Sequence, residues 1–378
     1  DLSRTLFQLM VPLDFKEAAR QADALALLVD DYTANFPWEL LTADDAPLVT
    51  RTAIVRQFVS TNWRKRVRST VDKTAHVIGN PSTEGFAKAF PSRFHDMGIA
   101  EQDMLATAAG MATAGLIPFA STFAIFGTGR AWEQLRNSVC YPSLSVKLVA
   151  THGGISVGED GGSHQAIEDL AVTRVIPNLR VIVPADPMET EQVIEAIARE
   201  LGPFYVRLPR GEGADVHPEG YRFAVGKACV LREGDDVALV ACGLMVKVAL
   251  DAAELLAQQG ISAAVVNAST IKPLDADTIE QVARRAGAVV TVEEHNVIGG
   301  LGGAVCEALA GRYPVPVVRQ GVEDTFGQSG GSDELMRHYG LVPEVTVERA
   351  LRAIALKSGG HSGSRGALPQ VVPGRSTV

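Results

Sequence analysis

The sequence predicts an α/β protein: two doubly wound domains preceded by a partial α/β segment. Three observations carry that expectation. Strand-length apolar runs alternate with helix-length runs from about residue 76 to 213, the pattern of a parallel sheet with crossover helices. The alternation pauses at residues 214–223 ("ADVHPEGYRF") and restarts over 224–356, which marks a linker and a second, smaller domain. Hydrophobic residues make up 46% of the 378, enough for each domain to bury a core.

The elements follow in order. "ALALLVDD" (Ala24–Asp31) reads as a buried strand within residues 1–75, ahead of "FPWELL" and a basic stretch, "NWRKRVR", that fits a solvated face better than an anion site. "GIAEQDMLATAAGMATAG" is an alanine-rich helix closed by Gly115, and "LSVKLVATH" is a strand. "RVIVPADPMETEQVIEAIARELG" is a strand and then a helix, with Asp186 as N-cap and Pro187 in the first helical position. "FYVRLPRG" is another strand. In the second domain "DVALVACG", "SAAVVNAS" and "AVVTVEEH" are strands, separated by the helices "MVKVALDAAELLAQQG" and "DADTIEQVARRAG". "GGLGG" (Gly299–Gly303) opens the helix "AVCEALAGRY"; its spacing is wrong for a dinucleotide fingerprint and suits helix packing or an anion nest. The Gly-, Ser- and Pro-rich stretch from Lys357 reads as a disordered tail.

Composition narrows the function. A net charge of -9 argues against a general nucleic-acid binder, which shows a basic face. No apolar run reaches the roughly 18 residues of a membrane span. Asp14, Lys16 and Glu17 follow the first apolar patch too closely for a signal peptide. Cys140, Cys229, Cys242 and Cys306 lie far apart and read as reduced, buried thiols. A soluble cytoplasmic protein is the expectation.

The densest chemistry lies in "THGGISVGEDGGSHQAIED" (Thr151–Asp169), just past a strand, where open parallel sheets bind ligands. It holds His152, Glu159, Asp160 and His164, loosened by glycines. The set suits proton transfer or a polyhydroxylated substrate, and its spacing matches no common zinc motif. Phe119, Phe123 and Phe126 fit a core stripe on a helix or, among glycines and hydroxyl residues, an aromatic shelf beside a ligand. Glu101 heads a helix and is either a dipole partner or a buried acid. Arg210 follows a strand end, where a guanidinium can clamp phosphate.

Taken together, "FAKAFPSRFHDMGIAEQDM", "IPFASTFAIFGTGRAWEQLRNSV", "ATHGGISVGEDGGSHQAIEDLA", "NLRVIVPAD" and "EHNVIGGLGGAV" resemble the transketolase family, in its own order, over about Ser82–Leu356. The likeness is specifically to the C-terminal half found in split, two-subunit transketolases. The resemblance implies a thiamine-diphosphate pyrimidine-binding (Pyr) domain over 76–213 and a transketolase C-terminal domain over 224–356. It also implies roles. Glu101 faces N1′ of the aminopyrimidine, and Phe123 and Phe126 stack on or line that ring. His152 and His164 contact the sugar phosphate, Asp160 binds the hydroxyl beside the reacting carbonyl, and Arg210 holds the phosphate. Catalysis would rest on Glu101, His152 and His164.

The sequence departs from the family in two places. It has no "GDG" followed by a distant Asn, the family's Mg2+ and diphosphate motif on the PP domain. A separate PP-domain subunit is therefore expected to carry Mg2+, with a homodimer core of Pyr and C domains growing into a heterotetramer. The entry to the Pyr domain is also altered, and His76–Gly79 is expected to take the place of the family's first strand. Residues from about Leu6 to Phe90 resemble part of a CHAT domain, a caspase-like fold, without its catalytic His and Cys, so no peptidase activity is expected. Two other readings stay open. One is a 2-oxoacid dehydrogenase β subunit or deoxyxylulose-phosphate synthase; the other is a catalytically silent fusion or interaction protein.

Overall fold

The computed structural model describes residues 24–29, 53–58, 75–79, 84–211 and 213–359. The chain divides into two compact units, residues 1–67 and 68–378. In the first, β1 (Ala24–Val29) and β2 (Ala53–Phe58) pair in parallel, Ala24 opposite Ala53. "FPWELL", the basic stretch and most of the CHAT-like region lie outside the described residues.

In the second unit β3 (Ala75–Gly79), which includes His76–Gly79, is a strand paired in parallel with the strand Ile117–Phe123. After it come α1 (Glu84–Ala89), β4 (Phe94–His95), α2 (Glu101–Thr113) and β5 (Ile117–Phe123). Two wide helical turns, Phe126–Arg130 and Gln134–Cys140, lead to β6 (Lys147–Thr151). Next are α3 (Asp169–Arg174), β7 (Arg180–Ile182), α4 (Pro187–Arg199) and β8 (Phe204–Arg207). Asp186 caps α4 as expected, accepting from the Glu189 N–H at 2.7 Å, with Pro187 in the first turn.

The second alternation begins with β9 (Cys229–Arg232), β10 (Val237–Ala241), α5 (Met245–Gln258) and β11 (Ala263–Asn267). It continues through β12 (Thr270–Lys272), α6 (Ala276–Ala286), β13 (Val289–Asn296) and α7 (Leu301–Ala310). It closes with β14 (Val317–Val322), α8 (Ser332–His338) and α9 (Pro343–Ser358). No helix among the described residues is long and apolar enough to cross a membrane.

Two sheets organise these elements. One has the order β12-β7-β8-β6-β5-β3-β4, parallel except for β12 at its edge; the other has the order β14-β13-β10-β11-β9, with only β9 antiparallel. The fold is thus α/β with two parallel-dominated sheets. Strands such as β8 and β10 are buried along their whole length, which is why they read as continuous apolar runs.

Two expectations need correction. Phe119 and Phe123 are not on a helix: they lie on β5, where an alternation of two puts both on one face. Pairing with β3 on one side and β6 on the other overrides the helical spacing of the three phenylalanines. The expected tail at Lys357 begins too early, because α9 runs to Ser358. The linker at 214–223 is tied to the first domain: Asp186 Oδ2 accepts from the Val216 and His217 N–H groups, and His217 Nδ1 lies 2.7 Å from the same oxygen.

Candidate active site

The site grows from strand register. Phe123, the last residue of β5, pairs with Thr151, the last of β6. The next residue, His152, takes a left-handed backbone (φ 60°), rare outside glycine, and this turns its ring back over the sheet edge. His152 and Phe123 stack with centroids 3.7 Å apart and planes at 15°. Phe126 stacks beside Phe123 at 5.9 Å, and the His164 ring meets Phe126 edge-on at 5.3 Å. Both phenylalanines are half-buried.

Glu101 opens α2 and is 8% exposed. Its Oε1 lies 3.6 Å from Arg130 Nη1, and the Arg130 guanidinium sits 4.2 Å over the Phe126 ring. Gln102 also donates to the Arg130 carbonyl, tying the first turn of α2 to the turn after β5. Burial, and a place beside the ring shelf, distinguish Glu101 from a surface dipole partner. Asp160 and Arg210 form a second group: Arg210 Nη1 donates to the Val157 carbonyl at 2.7 Å and lies 3.4 Å from Asp160 Oδ2. Arg210 borders a cleft of about 630 Å³ lined also by Glu159, Asp333 and Met336.

Burial, with Arg210 nearby, pushes the His152 imidazole below its ordinary range, against an opposing pull from Asp160. A histidine lowered in this way is neutral at pH 7 and offers one nitrogen as donor and one as acceptor. Its Nδ1 lies 2.9 Å from Thr151 Oγ1.

Several supporting residues escaped the sequence reading. Arg130 is one. Another is a buried network under the loop: Arg207 Nε lies 3.0 Å from Asp169 Oδ2, and the Tyr205 hydroxyl donates to the same oxygen at 2.6 Å. Burial works against the Arg207 charge, but Asp169 and Glu294 more than offset it and raise its pKa. An arginine inside an otherwise apolar strand was the available signal. "GGLGG" resolves in the same way: Glu293 accepts from the Leu301 and Gly302 N–H groups, so the chain's own carboxylate fills the α7 N-terminus.

Gly154 shows how tightly the loop is seated. It has φ +88°, and a Cβ there would overlap the Glu294 carboxyl. Gly154→Ala is expected to lower stability by more than the roughly 1–3 kcal/mol of backbone strain alone. Urea unfolding measures this, and a shift under about 0.5 kcal/mol would show that the loop relaxes.

Residues 65–214 match the family described as transketolase, pyrimidine binding domain, and residues 226–345 match transketolase, C-terminal domain. A protein of Methanocaldococcus jannaschii, assigned as a transketolase C-terminal section, is 47% identical over 290 residues, which is 76% of this chain and 91% of its own length. The chain belongs to the transketolase family. A solved split-gene transketolase, described as an inactive β4 tetramer, superposes with a TM-score of 0.69 at 46% identity, covering 75% of this chain and 92% of that one. The 1-deoxy-D-xylulose-5-phosphate synthase of Desulforudis audaxviator is 40% identical over 283 residues, but they make up only 44% of its length.

The transketolase family depends on thiamine diphosphate, and the residues present fit its pyrimidine end. A flat heteroaromatic ring needs an apolar face to stack on and a carboxylate at its edge. The Phe123–Phe126 shelf and the buried Glu101 beside it supply both.

Proposed function

We propose that this chain is the C-terminal subunit of a split transketolase that moves a two-carbon ketol unit between sugar phosphates. A separate PP-domain subunit would supply the Mg2+ and diphosphate site. The observation that carries the reading is the gathering of Phe123, Phe126, His152 and His164 at one strand edge, with the buried Glu101 joined to them through Arg130.

In this reading Glu101 shares a proton with N1′ of the aminopyrimidine, and Phe123 and Phe126 line the ring. Bound there, the cofactor supplies the carbanion chemistry. His152, neutral at pH 7, and His164 contact the sugar phosphate and pass protons at its oxygens. Asp160 accepts from the hydroxyl beside the reacting carbonyl. Arg210 is half-exposed and keeps guanidinium N–H groups for a phosphate. Two copies would form a dimer and, with two PP-domain subunits, a heterotetramer.

The synthase relative supports a second reading, with pyruvate as donor. Mixing the subunit with a PP-domain subunit, thiamine diphosphate and Mg2+ decides between them. Ketol transfer from sugar phosphates with no turnover of pyruvate is the expected result; turnover of pyruvate alone selects the synthase. Absence of any turnover, with no thermal shift from thiamine diphosphate and Mg2+, would leave a silent interaction protein.

A further inference from the structure

The C-terminal domain reaches directly under the loop that carries His152 and His164. Glu294, on β13, is 4% exposed and accepts the Ser156 N–H at 2.5 Å through Oε1. Its backbone carbonyl accepts Arg207 Nη2 at 2.8 Å, and the same Nη2 also donates to the Ala166 carbonyl. Two residues along β13, the Asn296 N–H donates to the Ile167 carbonyl at 2.8 Å. Gln165 donates to the Gln328 carbonyl at 3.0 Å. The stretch from His152 to Glu168 is therefore pinned from the second sheet near both its ends, and among the described residues Glu294 is the one charged side chain in the pinning.

Burying a carboxylate on one backbone N–H and next to a guanidinium costs solvation, and burial raises the Glu294 pKa although Arg207 and Ser156 oppose it. An apolar residue would fill the same space more cheaply, but it would not fix a backbone N–H. The location of that N–H is informative: Ser156 is the second residue of the short helical turn Ile155–Asp160, which bends at Gly158 (φ 83°) before it ends on Asp160. Fixing Ser156 anchors the first half of the turn, from which the Gly158 bend leads to Asp160, and Gly161 then begins the turn to His164.

We propose that Glu294 is a positioning residue: through it the C-terminal domain sets the place of Asp160 and His164 relative to His152. The proposal gives the reaction-remote domain a role in substrate alignment, and that role rests on the transketolase reading above. The geometric part does not depend on the reading.

The test is amide hydrogen exchange on the isolated subunit, comparing Glu294→Ala and Glu294→Gln with the parent. Glu294→Ala removes the acceptor and is expected to speed exchange over residues 154–165 by about tenfold, the effect of losing one hydrogen bond to a charged group. Glu294→Gln keeps an oxygen but loses the charge and should give a smaller, equally local increase. Unchanged exchange across the loop in either folded variant overturns the proposal. So does a Glu294→Ala variant that loosens β10, β13 and β14 as much as the loop, since that is a purely structural role. Should Glu294→Ala not fold, Glu294→Gln decides alone. In the reconstituted complex, Glu294→Gln is expected to raise KM for sugar phosphate more than it lowers kcat. An inactive parent complex would refute the transketolase reading and leave the exchange result standing.

Discussion

Glu101→Ala is expected to abolish ketol transfer, lowering kcat by about 10²–10⁴-fold, the range for removing a group that moves a proton in the transition state. Stability should hardly move. The only charged partner of Glu101 among the described residues is Arg130, whose side chain is 55% exposed, and ion pairs of that kind contribute at most about 1 kcal/mol. Activity and folding should therefore separate cleanly. The variant keeps the parent's urea midpoint, binds the PP-domain subunit and turns over almost nothing. Glu101→Gln sharpens the test, because it preserves shape and hydrogen bonding but cannot share a proton. A Glu101→Ala subunit as active as the parent would remove Glu101 from the chemistry.

The largest expected loss of stability lies under the same loop. Asp169→Ala leaves the Arg207 guanidinium buried without its carboxylate and takes the acceptor from the fully buried Tyr205 hydroxyl. Breaking a buried pair from one side costs about 3–5 kcal/mol, chiefly through the uncompensated charge. Adding Arg207→Met removes that charge, so the double variant should be less destabilised than the two single losses added together. A double-mutant cycle in urea reads the coupling directly. Additive losses would mean that Arg207 finds enough compensation in the Ala166 and Glu294 carbonyls alone.

Periodicity made much of this molecule legible. The helix of Met245–Gln258 and the capped start of α4 at Asp186–Pro187 were visible because local chemistry and tertiary demand agree there. Phe123, Phe126, His152 and His164 were recognisable as chemistry before any geometry placed them together. The phenylalanine spacing misled as to element, because four-and-three spacing also arises when a strand runs straight into a helical turn. Glu294 was invisible for a different reason. In "TVEEHN" nothing distinguishes the glutamate that reaches Ser156 from its neighbour Glu293, which caps α7. Two adjacent strand residues point to opposite faces, and only the packed sheet says what lies beyond each. Arg130 likewise became a partner of Glu101 only once the turn after β5 folded back on α2.

One small strand limits how such a gene can be divided. β12 belongs by sequence to the second alternation, yet it hydrogen-bonds to β7 and forms the outer edge of the first sheet. A polypeptide ended after residue 213 would lose that edge and present β7 as an open template for other chains. A breakpoint that separates the two family modules strips the first of its border, whereas one placed ahead of β3 leaves every pairing of both sheets intact.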